Sequence, residues 1–209
     1  MKTHCIVDGV LLWALLPQMP TVPTDVAERI IDSLVEKPML AADWASAWTI
    51  KGGTSEQVNL HTMSNIDGES LKWMLEHIDN TPIQRISSYT GSPKVAAHTD
   101  SRRSHGVNYL FTTGSDKPVL TQFYKPRGAA VLEQQTMGLW YVDESELEVI
   151  EEVEMPVNCW WYINTRVIHG TNTVLTGDRI MYAIGYADQL SDRVSEQLAQ
   201  YQVQAQYGS

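Results

Sequence analysis

The stretch WWYINTRVIHGTNTVLTGDRIMYAIGY, Trp160–Tyr186, reads as three strands in quick succession. Trp160–Asn164, Val167–His169 and Arg179–Tyr186 are short, rich in β-branched and aromatic residues, and divided by Asn, Thr, Gly and Asp. Working back along the chain, the same pattern marks Leu147–Val153, Val119–Tyr124, Gly106–Thr112, Lys94–His98 and Ile83–Tyr89. Before that point the periodicity is helical. From a cap at Thr24 or Asp25, Val26, Ile30, Ile31, Leu34 and Val35 fall at helical spacing, and Leu71, Met74, Leu75 and Ile78 share one face of a second helix over Glu69–Ile78. The tail carries a third stripe, Leu190, Val194 and Leu198. Helices, then about eight strands, then a closing helix predicts a mainly β protein with flanking helices, a jelly roll braced from outside. One domain over residues 1–209 is expected: an opening strand and bracing helices over 1–80, a jelly-roll core over 82–187 and a C-terminal helix over 189–206.

Composition narrows the partners. A hydrophobic share of 43% with 19% charged residues is ordinary for a chain with a real core. Seven Trp and nine Tyr stand against two Phe, so many of the large rings carry a polar atom that needs a partner. The net charge of −10 argues against nucleic acid, because phosphate contacts need clustered Lys and Arg, and the one basic cluster is Arg102-Arg103. Cys5 and Cys159 make no disulfide framework and have no zinc-site spacing, so they read as reduced thiols. Residues 5–16 are apolar but too short to span a bilayer, are interrupted by Asp8, and lack a small-x-small cleavage site. They read as an opening strand or buried edge. The expectation is a soluble cytoplasmic protein that binds neither membrane nor nucleic acid; its oligomeric state is not legible.

Two of the six histidines sit in informative surroundings. In Ala96-Ala97-His98-Thr99-Asp100, residues two apart on an extended backbone point to one side, so the imidazole and the carboxylate can converge on one ion. The preceding Ile86–Pro93 run, strand then turn, puts that pair at a strand end. His169 closes another strand, and Arg179 follows ten positions later (179 − 169 = 10) across a turn containing Gly177 and Asp178. If a hairpin joins them, both face one cavity. Two imidazoles and one carboxylate on one face suit iron(II) and oxygen chemistry, leaving positions open for other ligands. A fork-shaped guanidinium nearby suits a carboxylate.

His98-x-Asp100, His169 71 residues later (169 − 98 = 71), and then Arg179 together resemble the 2-oxoglutarate/iron(II)-dependent oxygenase superfamily. Within it, the likeness is to small prolyl-hydroxylase-like and aspartyl/asparaginyl-hydroxylase-like members of phage and bacterial type. The resemblance runs from about Pro82 to Tyr186. It implies a double-stranded β-helix, the cupin-like form of the jelly roll. It further implies Fe(II) held by His98, Asp100 and His169, with 2-oxoglutarate and O2 as co-substrates. Arg179 then meets the distal carboxylate of 2-oxoglutarate, together with a hydroxyl for which Ser87, Tyr89 and Tyr109 are candidates. Asn108 is a candidate for the proximal carboxylate, yet Asn108 and Tyr109 are neighbours and cannot both face inward on a regular strand. Many members carry Ser or Thr two positions after the arginine; here Met181 stands there. The implied reaction is hydroxylation of an amino-acid side chain, in a protein or peptide or as a free amino acid, with 2-oxoglutarate decarboxylated to succinate.

Other residues carry two readings. Asn172 is a turn former first and a site residue second. Arg102, Arg103 and His105 follow the metal pair and either touch substrate or are solvated. Trp160-Trp161 and Trp140-Tyr141 fill a core or wall a substrate pocket. His61 sits in a strand-like context but lacks an acidic partner two residues away. Two different classes remain open beside the oxygenase: a cupin-type metal enzyme of other chemistry, which tends to use three histidines, and a non-catalytic ligand-binding barrel.

Overall fold

The computed structural model describes residues 2–32, 59–63, 68–78, 84–90, 95, 97–100, 103–128, 133–135, 139–141, 144–173, 176–187 and 189–207. Side chains at 59–63, 84–90, 133–135, 139–141 and 202–207 fall outside that description. Thirteen strands occur among these residues. They are β1 (His4–Val7), β2 (Val10–Leu15), β3 (Asn59–Met63), β4 (Gln84–Thr90), β5 (His98–Asp100), β6 (His105–Thr113), β7 (Leu120–Pro126), β8 (Glu133–Gln135), β9 (Leu139–Tyr141), β10 (Leu147–Glu154), β11 (Trp160–Asn164), β12 (Ile168–Thr171) and β13 (Arg179–Tyr186). The helices are α1 (Thr24–Asp32), α2 (Gly68–His77) and α3 (Asp192–Tyr207).

The strands form two antiparallel sheets, ordered β1-β2-β11-β6-β13-β4-β3 and β10-β7-β12-β5-β9-β8. Eight of them form the jelly roll. From β4 onward the chain crosses between the sheets, so β4, β6, β11 and β13 build one wall while β5, β7, β10 and β12 build the other. This interleaving is the double-stranded β-helix, and the fold is mainly β with flanking helices.

Side-chain alternation sorts the two faces of the larger sheet. Ile180, Tyr182, Ile184 and Tyr186 of β13, and Val107, Tyr109 and Phe111 of β6, point outward. They pack against Val26 and Ile30 of α1, Met74 of α2, and Val194 and Leu198 of α3. The opposite face gives Leu110, Trp161 and Ile163 to a second core shared with Phe123 of the other sheet and flanked by Met181. The helices therefore brace the outside, and the space between the sheets holds the inward-facing residues.

The opening segment departs from expectation. Residues 5–16 do not form one strand; Asp8 and Gly9, with φ of 50° and 77°, turn the chain into the β1–β2 hairpin. Asp-Gly is a strong hairpin signal, because both central residues of such a turn need positive φ. Strand β5 starts at His98, later than the Lys94–His98 expectation; β3 covers the strand-like context of His61, and β8 and β9 have no counterpart in the sequence pattern. No described helix is long and apolar enough to cross a membrane.

Candidate functional site

His98 opens the three-residue strand β5, and His169 lies in β12; the two are directly paired across the ladder. Side chains of such a pair stand on the same face. The imidazole centroids are 4.4 Å apart, tilted at 50°, and each histidine is only 7% exposed. Phe123, opposite His169 on β7, supplies an apolar wall, with its ring centroid 6.5 Å from the imidazole. The Nδ1 of His169 lies 2.9 Å from the Val167 carbonyl, which can only accept, so Nδ1 carries the proton and Nε2 is left to coordinate. Burial, reinforced by the neighbouring His98, pushes the His169 pKa down to about 3 and keeps the ring neutral. That is the form a metal requires.

Asp100 ends β5 with its side chain 5% exposed. Burial works against its charge, but Arg103 and then the two histidines outweigh it and hold the carboxyl at about 2. The Nε of Arg103 donates to Oδ2 at 2.5 Å. The backbone around this pair is fastened by Thr165, which is fully buried: its carbonyl accepts the Asp100 N–H at 3.0 Å, and its hydroxyl donates to the Arg103 carbonyl at 2.8 Å. Asp-x-x-Arg was visible in the sequence, but nothing in that spacing turns the guanidinium back onto the carboxylate.

Arg179, 4% exposed, begins β13 and alternates with the outward-facing Ile180, so it stands on the sheet's inner face. Asn108 shares that face and is 2% exposed; its Oδ1 makes no hydrogen bond among the described residues. The same is true of Nε1 of Trp161, its cross-strand neighbour. Tyr109 is a correction. It faces the helices, where the Val22 backbone bonds its hydroxyl and burial pushes its pKa up. Strand alternation admits one of the two neighbours to the interior, and Asn108 is that one. Ladder register sets Tyr89 opposite Arg179 and Ser87 opposite Met181; both side chains lie outside the described residues.

The remaining candidates separate. His105 turns outward, its Nδ1 2.8 Å from the Tyr162 hydroxyl, in a cavity of about 280 Å³ that Leu190, Ser195 and Leu198 also line. Trp160 packs in the outer core with its indole N–H on the Pro20 carbonyl, whereas Trp161 faces inward. Asn172, just past β12, is tied to β7: its Oδ1 accepts the Leu120 N–H and its own N–H donates to the Leu120 carbonyl. Arg102 and the side chains of His61, Trp140 and Tyr141 lie outside the described residues.

Two imidazoles and an ionised carboxylate make a donor set that fits a divalent first-row metal ion. Among the described residues, however, no three His, Cys, Asp or Glu side chains are grouped closely enough to hold an ion in the arrangement seen. Oδ2 of the carboxylate accepts from the Arg103 guanidinium.

No family model and no curated protein matches the sequence. Among solved structures, the chain is similar to Escherichia coli ycfD at 17% identity and a TM-score of 0.43, over 72% of this chain and 39% of that one. A second structure of that protein is described as a ribosomal oxygenase. The chain thus spans about two fifths of the length of ycfD. It is also similar to AviO1 from Streptomyces viridochromogenes Tue57, at 14% identity and a TM-score of 0.42, over 86% and 91% of the two chains. A 2OG-Fe(II) oxygenase family protein from Burkholderia pseudomallei matches at 9% identity and a TM-score of 0.29, over 59% and 56%.

Proposed function

We propose that this protein is an iron(II)- and 2-oxoglutarate-dependent oxygenase that hydroxylates an amino-acid side chain, in a protein or peptide rather than in a free amino acid. The observation that carries the reading is the meeting of His98 and His169. They lie 71 residues apart in sequence (169 − 98 = 71), yet their rings stand 4.4 Å apart beside an ionised Asp100. In this reading His98, Asp100 and His169 hold Fe(II). The bound iron supplies the O2 chemistry that couples decarboxylation of 2-oxoglutarate to oxidation of a C–H bond.

The chain's own residues supply placement. Nδ1–H of His169, tied to the Val167 carbonyl, fixes the ring so that Nε2 faces the ion. Arg179, on the inner face of the opposite wall, is the fork for the distal carboxylate of 2-oxoglutarate. Asn108 turns an unpaired Oδ1 into the same interior, where it can accept a hydrogen bond from a substrate donor. Leu110, Phe123, Trp161 and Met181 line an apolar interior, where polar contacts are stronger than in water.

Anaerobic titration of Fe(II) and 2-oxoglutarate into the protein, followed by visible absorption, tests the reading. A charge-transfer band in wild type that is lost in His98→Ala, Asp100→Ala and His169→Ala is the expected result, with succinate release on candidate peptides next. Bound iron without the band returns the protein to the cupin-type enzymes. Failure to bind any divalent ion makes it a ligand-binding barrel.

A further inference from the structure

Asp100 has two claims on it: the ion that the histidines invite and the guanidinium that already holds it. We propose that Arg103 and the metal ion are alternative partners for the Asp100 carboxylate, so that Arg103 weakens metal binding while securing the folded site whenever no ion is bound. The inference rests on the metal-site reading above.

A carboxylate that is 5% exposed needs a cation or several hydrogen bonds to stay charged. Arg103 meets that need at 2.5 Å, from a side chain itself 13% exposed. The arginine is built into place rather than left to a surface rotamer. Thr165 bonds the backbone on both sides of the pair. The guanidinium also packs on the start of β6, where Nη1 would stand in ordinary contact, 3.6 Å, with a Cβ built on Gly106. Among the described residues the carboxylate and the two imidazoles are not grouped to hold an ion, and Oδ2 already accepts from Arg103. A divalent ion must therefore draw the carboxylate from the guanidinium, or share it against the repulsion of a second cation. Either way, the two cations are negatively coupled through one anion, and that coupling is reciprocal.

The opposite possibility is that Arg103 orients the carboxylate and so strengthens the site, as outer partners of metal ligands often do. The two differ in sign. Mn(II) is titrated into wild type, Arg103→Gln, and the Asp100→Asn/Arg103→Gln double variant, with free ion read from its room-temperature EPR signal. Metal-free and Mn(II)-saturated melting temperatures are recorded alongside. Alternative partnership requires Arg103→Gln to bind Mn(II) more tightly, on the order of ten-fold. Its melting temperature should be lowered without the ion and restored close to wild type with it. The double variant, having neither charge, should lose the tight binding and recover metal-free stability. If Arg103→Gln does not accumulate as folded protein, Arg103→Lys is titrated instead, and a smaller shift in the same direction is required.

Equal or weaker Mn(II) binding in the Arg103 variant overturns the proposal and leaves the metal site standing. Wild type that takes up no Mn(II) overturns the reading of the site itself.

Discussion

Gly114 sits where the chain leaves β6, and it controls the position of Arg179 from the other side of the ladder. Its φ is +71°, and a Cβ built on it would lie 2.6 Å from the Arg179 backbone nitrogen and 2.9 Å from its Cα. The obstruction is backbone, so no flexible side-chain tip can swing clear. Restoring ordinary contact at 3.4 Å requires a displacement of 0.8 Å (3.4 − 2.6 = 0.8) at the first residue of β13. The Gly114 carbonyl resists that movement, since it accepts both the Thr176 and the Gly177 N–H at 2.9 Å.

Gly114→Ala therefore incurs two costs: about 1–2 kcal/mol for a left-handed alanine and about 1–3 kcal/mol for forced packing. Gly9 is the internal control, because its φ is +77° but nothing lies within 4 Å of its added Cβ. Gly9→Ala should incur only the first cost. At about 2–4 °C per kcal/mol for a chain of this length, Gly114→Ala should melt roughly 4–20 °C below wild type and Gly9→Ala roughly 2–8 °C below. With Arg179 anchoring 2-oxoglutarate, the affinity for that ligand should fall on the order of 10- to 100-fold in Gly114→Ala. It should not change in Gly9→Ala. Calorimetric melting and anaerobic 2-oxoglutarate titration measure both effects. If the two variants melt alike and bind 2-oxoglutarate equally, Gly114 does not set the place of Arg179.

Chelator-treated protein should lose stability as pH falls below about 6.5, because His169 accepts a proton in the unfolded chain but stays neutral when folded down to about 3. The folded pKa is the lower one, so this stability is present above the unfolded value and declines by up to about 1.4 kcal/mol per pH unit. Urea unfolding at pH 7.5 and pH 5 measures it, and His169→Gln should remove that slope. Tyr109→Phe should cost about 1 kcal/mol for the lost bond to the Val22 backbone and leave 2-oxoglutarate affinity unchanged. A weakened affinity would return Tyr109 to the site. Met74→Ala, at a fully buried position in the outer core, should cost about 2–5 kcal/mol in urea unfolding without altering Mn(II) affinity.

Strand order was legible from Ile83 onward because β-branched and aromatic runs between turn residues report half-buried extended chain, and seven of the eight jelly-roll strands lie within two residues of where that pattern puts both ends. The hairpin at Asp8-Gly9 was hidden by the apolar residues around it, which read as one continuous segment. Outward-facing Tyr109 and inward-facing Asn108 could not be told apart from sequence, because both faces of the larger sheet are covered and both residues are buried. His98, Asp100, His169 and Arg179 were legible by residue type and order. Arg103 was not, since an arginine three residues from an aspartate is commonplace until Thr165, far along the chain, bonds the backbone of both.

The direct pairing of His98 with His169 means that their separation belongs to the ladder rather than to the chain between them. Successive residues of a strand face opposite ways, so slipping β12 by one position along β5 would carry the His169 imidazole to the far side of the sheet. Segments outside the strands can therefore lengthen or shorten in descendants of this sequence while the two imidazoles stay together. An insertion inside the four residues of β12 has no such freedom. Tolerance to length change in this protein should thus divide sharply at strand ends, with drift permitted in the connections and a frozen count of residues in β5 and β12.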